Sequence, residues 1–311
     1  MVDRAASASV PRGAYIDLAE LVRLRHGARD LKLKKQRKTF SPLIGPHQSR
    51  FRGRGIEFDE VRAYQAGDDI RNIDWRVTAR TGRPHTKLFH EERERPVLLL
   101  VDQSLSMFFG SKNCFKSVMA AHVAALLAWA ALQQNDRVGG LVFCGAERLE
   151  IRPQRSAKTV LQLLRDIDIC NRRLHRQLPP TEVGLCEALE ELRRIARPGS
   201  NIFVVSDFRN CHGEGKKHLH QLSRHNDISA VRIYDPLEQE LPPADAYSVT
   251  DGTQRAQLFT GDRQLRERYR QSFHQKTETL RQLLGPMGIP LLHVSTEDSP
   301  LQYFRTLLGT R

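Results

Sequence analysis

Apolar and polar positions along the chain sort into two textures. From Pro96 onward, short apolar runs alternate with segments whose apolar residues recur at helical spacing. "VLLLVD" (97–102), "DRVGGLVF" (136–143), "NIFVVSD" (201–207), "ISAVRIY" (228–234) and "IPLLHVS" (289–295) read as buried strands. Helices are predicted over 113–133, 157–168, 182–196, 214–225 and 262–284, with a further strand at "ERLEIR" (147–152), a short hairpin at "YSVTD … AQLFT" and a closing helix. Unbroken apolar strands separated by helices are the mark of an α/β fold, a mostly parallel sheet covered on both faces.

The first third reads differently. Residues 14–38 predict an amphipathic basic helix or helix pair, with Ile16, Leu18, Leu21, Val22 and Leu24 on one side. Residues 40–95 are rich in Gly and charge, and "IEFDEVRAY" and "HTKLFHEE" alternate as small strands do, with turns at "AGDD" and "TGRP". The expected division is a basic helical segment (1–39), a small β-rich subdomain (40–95) and an α/β domain (96–311).

Charge sharpens this picture. Of a net charge of +13, much lies between Arg23 and Arg54, where eleven Lys or Arg face one acid, Asp30. Such a stretch serves an anionic partner or simply a solvated surface. It carries Phe40 and Phe51 but little aromatic interleaving and no recognised nucleic-acid module, so packing of its apolar side on the body is preferred to nucleic-acid binding. The five cysteines, Cys114, Cys144, Cys170, Cys186 and Cys211, are widely spaced, without a C-x-x-C pair; a disulfide framework is not expected and a cytoplasmic location is. The most apolar run, Val118 to Leu132, is 15 residues long, short of the roughly 20 that span a bilayer, and no apolar signal core precedes it.

The candidate chemistry lies where the first apolar strand ends. In open α/β sheets ligands bind beyond the carboxyl ends of strands. Alternate residues of an extended segment share a side, so Asp102, Ser104 and Ser106 of "DQSLSM" converge on one point. A carboxylate with hydroxyls is a hard oxygen set, suited to Mg²⁺ or Mn²⁺ rather than to zinc or copper. Asp207 ends "VVSDF" in the equivalent position, and among the strands it is the other acid expected directly at an apolar end before a helix. "LPPTEVGLCEAL" offers Thr181, which doubles as a candidate helix N-cap. The plainer account of Asp102 is a turn or N-cap carboxylate closing a buried strand.

"DQSLSM" resembles the D-x-S-x-S motif of von Willebrand factor A domains, whose metal-ion-dependent adhesion site adds a Thr and an Asp from later loops. Thr181 and Asp207 fall in the matching order, although Pro179 and Pro180 precede Thr181 where adhesion sites often have Gly. "DRVGGLVF" resembles the second strand of that fold. The segment "RGRGIEFDEVRAYQAGDDIRNIDWRVTARTGRPHTKLFHEERERPVLLLVDQSLSM" resembles the hallmark region of the bacterial family called domain of unknown function 58. The resemblance implies a von Willebrand A-like sheet with one antiparallel edge strand. It also implies a cytoplasmic, non-enzymatic adaptor working with a MoxR-type AAA+ ATPase, its metal held by Asp102, Ser104, Ser106, Thr181 and Asp207 and its open position filled by a partner's carboxylate.

Other constellations weigh less. The acids of "QAGDDIRNIDW" (Asp68, Asp69, Asp74), with Glu57, Asp59 and Glu60, would suit a two-metal nuclease beside the basic arm, and the carboxylates at Asp102 and Asp207 a metal-dependent phosphoesterase or nuclease. They alternate with Arg62, Arg71 and Arg76, however, as in a paired turn, and Trp75 reads as a core anchor. In "CHGEGKKHLH", His218 and His220 stand two apart on a helix, unlike the i, i+4 pairs that bind zinc; Cys211 and His212 read as loop residues. His122 reads as a core or junction histidine. "GSKNCFKS", with Gly110, Lys112 and Lys116, lacks phosphate-loop spacing, and no G-x-S-x-G elbow is present to make Ser104 or Ser106 a nucleophile.

Overall fold

The computed structural model describes residues 10–33, 56–65, 70–91, 95–145, 147–173, 184–209, 211, 213–250 and 255–308. The chain divides into two compact units, residues 37–94 and the remainder, 1–36 with 95–311.

The chain enters the larger unit through α1 (Leu18–Gly27), whose N-cap Asp17 accepts from Ala19 N. The smaller unit is a hairpin of β1 (Ile56–Ala63) and β2 (His85–Glu91), antiparallel with an irregularity between Phe58 and Glu60. Between them lies a helix the alternation did not predict, α2 (Trp75–Thr81). Asp74 caps it by accepting from Arg76 N (3.0 Å) and Val77 N (3.1 Å), and Gly82 ends it at φ 72°. Trp75 opens this helix 68% exposed, so it is not a core anchor. The side chains of Glu57, Asp59 and Glu60, all of Asp68 and Asp69, and residues 34–55 with Phe40 and Phe51 lie outside the described residues.

The larger unit holds the α/β sheet. Along the chain come β3 (Pro96–Asp102), α3 (Lys116–Gln133), β4 (Arg137–Cys144), β5 (Glu147–Gln154), α4 (Ala157–Arg173), α5 (Leu185–Ile195), β6 (Asn201–Ser206), α6 (Glu214–Ser223) and β7 (Asp227–Tyr234). There follow α7 (Pro236–Gln239), the hairpin β8 (Ala246–Thr250) and β9 (Arg255–Phe259), the long α8 (Arg263–Leu284), β10 (Leu291–Ser295) and α9 (Pro300–Leu308). The six-stranded sheet runs β10-β7-β6-β3-β4-β5. Its pairs are parallel except the last, where β5 forms an antiparallel edge, the arrangement expected of a von Willebrand A-like sheet.

Strand alternation divides the core in two. Val97, Leu99 and Val101 face a layer with α1, α3, α4 and α9; Leu98 and Leu100 face a second layer with α5, α6 and the end of α8. At Gly140 a Cβ would stand 2.1 Å from the Leu99 carbonyl oxygen, so the close approach of β4 to β3 needs glycine there. α3 is long and apolar enough to cross a membrane by length and composition, but 89% of it is buried inside the protein, as a core helix is.

The N-terminal segment is stitched to α3 and α4 through backbone groups. Trp129 Nε1 donates to Leu21 O (3.1 Å), Gln133 Nε2 to Arg25 O (2.7 Å), and Ile16 N donates to Asn171 Oδ1 (3.0 Å). His122, 2% exposed, has Nδ1 2.9 Å from Val118 O and Nε2 3.5 Å from Glu20 Oε1, which makes it the junction histidine between α3 and α1.

Candidate functional site

β3 and β6 are neighbours, so their carboxyl ends place Asp102 and Ser206–Asp207 side by side. Asp102 is 3% exposed. Its Oδ1 accepts from Ser104 N (2.9 Å) and its Oδ2 from Ser206 Oγ (2.5 Å). The strand does not continue past Asp102. Gln103 turns inward, fully buried, donating to Ser117 O and accepting from Asn171 Nδ2, which also reaches Ser117 Oγ. Leu105–Met107 then form a 3₁₀ turn. That turn, rather than strand alternation, brings Ser106 Oγ to 3.2 Å from Ser104 Oγ.

Asp207 sits on a tight turn. Phe208 behind it has φ 56°, in the left-handed region that a bulky residue rarely enters, and Phe208 N donates to Ser206 Oγ (3.1 Å). Asp207 Oδ1 accepts from Arg209 N (3.0 Å), and the Ser106 hydroxyl also bonds to this carboxylate. Thus Asp102, Ser104, Ser106 and Asp207 are brought together. Thr181 lies outside the described residues.

Sequence reasoning missed the residue that dominates this cluster. Lys116, at the start of α3, is fully buried, with Nζ 2.9 Å from Asp207 Oδ2 and 2.8 Å from Glu238 Oε1 on α7. A signal was available. α3 reads "KSVMAAHVAALLAWAALQ", and one lysine on an otherwise apolar buried helix must find carboxylates. A second miss is Asp235, which ends β7 as Asp207 ends β6, so the pairing of Asp102 with Asp207 as the strand-end acids was incomplete. Asp235, fully buried, accepts from Ser111 N (2.9 Å), Thr296 Oγ1 (2.7 Å) and Leu237 N (2.9 Å); it is committed to tying loops together and capping α7.

Electrostatics separate the two central acids. Burial, with the Asp207 charge beside it, outweighs the hydrogen bonds from Ser206 and Ser104, and the Asp102 carboxyl is pushed up to about 6. Burial acts on Asp207 in the same sense, but the Lys116 ammonium, Arg209 N–H and Ser106 hydroxyl overcome it and hold its carboxyl below the usual range. Among the described residues Asp102 is therefore the carboxylate without a cation, facing two hydroxyls. That donor set fits a hard divalent ion held by Asp102, Ser104 and Ser106, while the oxygens of Asp207 are largely taken. No group of three or more His, Cys, Asp and Glu side chains stands ready for a metal among the described residues, at this site or elsewhere. In the "CHGEGKKHLH" segment Cys211 is buried, His218 and His220 lie on α6, and His212 is outside the described residues.

Comparison with known proteins adds the following. Uncharacterized proteins of Mycobacterium tuberculosis (strain ATCC 25618 / H37Rv) and Mycobacterium bovis (strain ATCC BAA-935 / AF2122/97) are each 29% identical over 281 residues, covering 88% of this chain and 86% of theirs. Among solved structures, the conserved hypothetical protein BatB from Bacteroides thetaiotaomicron aligns with a TM-score of 0.46 at 15% identity, covering 68% of this chain and 96% of its own. The SpRpn10 VWA domain aligns with a TM-score of 0.34 at 9% identity, covering 68% and 94%. The family model described as "Protein of unknown function DUF58" matches residues 60–279, well over half of the sequence, and the chain belongs to that family.

Proposed function

We propose that the chain is a protein-interaction module that captures partners at the carboxyl ends of β3 and β6, in a metal-dependent way. The observation that carries this reading is Asp102, a 3%-exposed carboxylate with no cation among the described residues, beside the paired hydroxyls of Ser104 and Ser106. Mg²⁺ or Mn²⁺ would be held by Asp102, Ser104 and Ser106, with Thr181 completing the shell and Asp207, its oxygens already engaged, reaching it through water. Bound there, the ion supplies an electrophilic position for an incoming Glu or Asp carboxylate. The chain's own part is positional: Ser206 and Ser104 N–H fix the Asp102 carboxylate, Gln103 anchors the turn behind it, and Lys116 keeps Asp207 from competing as a second free charge.

The resemblance of the "DQSLSM" and upstream segments to the family hallmark is what supports a MoxR-type AAA+ ATPase as the partner system and the cytoplasm as its place. Pull-down from a bacterial lysate with and without Mg²⁺, wild type against Asp102→Ala, tests the reading. Recovery of an ATPase only with both metal and Asp102 is expected; unchanged capture in EDTA overturns it. Metal-dependent turnover of phosphodiesters would favour a phosphoesterase or nuclease instead, and binding of nucleic acid that falls steeply with salt would favour the basic arm.

A further inference from the structure

A cavity of about 450 Å³ opens beside Asp207, between the turn after β6, the strand β7 and the middle of α8. This lies within the size range of small-molecule sites, roughly 300–1,000 Å³. At its wall stands Arg232 of β7, 8% exposed, its guanidinium 4.9 Å from the centre of the Phe273 ring and its Nη1 donating to Thr277 Oγ1 (2.6 Å). Among the described residues no carboxylate lies within ion-pair distance of Arg232, nor of Arg209 or Lys276, which also line the cavity. A buried guanidinium resting only on a hydroxyl and a ring is short of the anion its fork is shaped for.

The cavity does contain two acids, and both are engaged. Asp207 Oδ2 and Glu238 Oε1 bind Lys116, while Asp207 Oδ1 accepts from Arg209 N and Glu238 Oε2 from Asp235 N. The rest of the wall is mixed: Ser272, Gln275 and Thr279 of α8 are polar, while Phe273, Leu280 and Leu283 form an apolar side.

We propose that this cavity is a binding site for a small organic monoanion, a carboxylate carried on an apolar body, with Arg232 as its anchor. The guanidinium fork matches a carboxylate in two parallel hydrogen bonds, and the aromatic and leucine wall receives the body. The carboxylates that act on Arg232 are Glu238 and Asp207, and beside the anchor they disfavour a doubly charged head such as a phosphate monoester. The site needs no metal; it shares Asp207 with the docking reading but rests on Arg232.

The test titrates 3-phenylpropionate into the full chain, followed by ligand-observed NMR and calorimetry, with 3-phenylpropionamide as the uncharged isostere and phenyl phosphate as the dianion. Arg232→Gln removes the anchor, and Leu283→Trp fills the cavity from α8 without touching the charges. Saturable binding of the acid is expected, about tenfold or more weaker for the amide, the phosphate and both variants, a difference of at least about 1.4 kcal/mol. No saturable binding of the acid, equal binding of acid and amide, or binding unchanged by Leu283→Trp overturns the proposal. If Arg232→Gln fails to fold, the amide and Leu283→Trp decide it.

Discussion

Lys116 reaches from the first turn of α3 to within 2.9 Å of Asp207 at the end of β6, with none of its side chain exposed. This one contact sets the charge pattern of the sheet's carboxyl edge. It commits Asp207 and Glu238 to an internal cation and leaves Asp102, one strand over, as a buried acid whose carboxyl is pushed up. The candidate site is thus asymmetric, with one neutralised carboxylate and one exposed to whatever cation arrives.

Removing the ammonium should be expensive. Lys116→Met keeps the length and apolar stem but strands two carboxylates in a nearly dry place, and breaking a buried pair in this way costs about 3–5 kcal/mol. Urea denaturation should show a fall in unfolding free energy of that size, read as a lower midpoint, and Lys116→Met combined with Asp207→Asn should recover part of it. A single variant as stable as the wild type would show that the pair contributes nothing to the fold.

If a divalent ion binds at Asp102, it must also stabilise the folded chain. At a free concentration a hundredfold above Kd, binding adds about 2.7 kcal/mol. Thermal melts in Mg²⁺ or Mn²⁺ should rise for the wild type and stay flat for Asp102→Asn, with Ser104→Ala between them. A rise that survives Asp102→Asn would place the ion elsewhere.

Much of this architecture was legible because the strands of the sheet are nearly all apolar. "VLLLVD" and "NIFVVSD" announced both their burial and their strand-end acids, and Asp102, Ser104, Ser106 and Asp207 do meet. What escaped were relations set by tertiary contact. Trp75 looked like a core residue, but its neighbour Asp74 caps a short helix that carries the ring to the surface. In the sequence Lys116 stands out only against phosphate-loop spacing; the apolar helix around it signals a need for carboxylates, but not that Asp207 and Glu238, 91 and 122 residues later, supply them. Asp235 was passed over because its partners, Ser111 and Thr296, lie 124 and 61 residues away in the chain.

Asp235 supplies a pH prediction. Burial alone would raise its carboxyl, but the hydrogen bonds from Ser111, Thr296 and Leu237 prevail and hold it below the ordinary value. A carboxyl lowered on folding adds stability that is fully present above its unfolded pKa, about 3.9, and is lost as pH falls through the lower folded value. Asp235→Asn should therefore cost about 1–3 kcal/mol at pH 7. The gap from the wild type should stay constant down to about pH 4 and then close. A gap that narrows between pH 7 and 5 would assign the effect to another group.

Two glycines separate want of space from want of conformational freedom. At Gly199, φ is 86° and nothing lies within 4 Å of a would-be Cβ, so Gly199→Ala meets only the left-handed backbone penalty, about 1–2 kcal/mol. At Gly140 no positive φ intervenes, but the added carbon would stand 2.1 Å from Leu99 O and 2.9 Å from Leu99 N and C, all backbone atoms of the central strand β3. No rotamer change relieves that overlap; β4 must move off β3, pulling at the same strand whose end holds Asp102. Gly140→Ala should therefore cost more than the usual overpacking penalty of about 1–3 kcal/mol, and more than Gly199→Ala, in urea midpoints measured side by side. It should also weaken metal-induced stabilisation, which Gly199→Ala should leave intact. Equal losses in the two variants would mean that β3 and β4 do not approach as closely as the strand register requires.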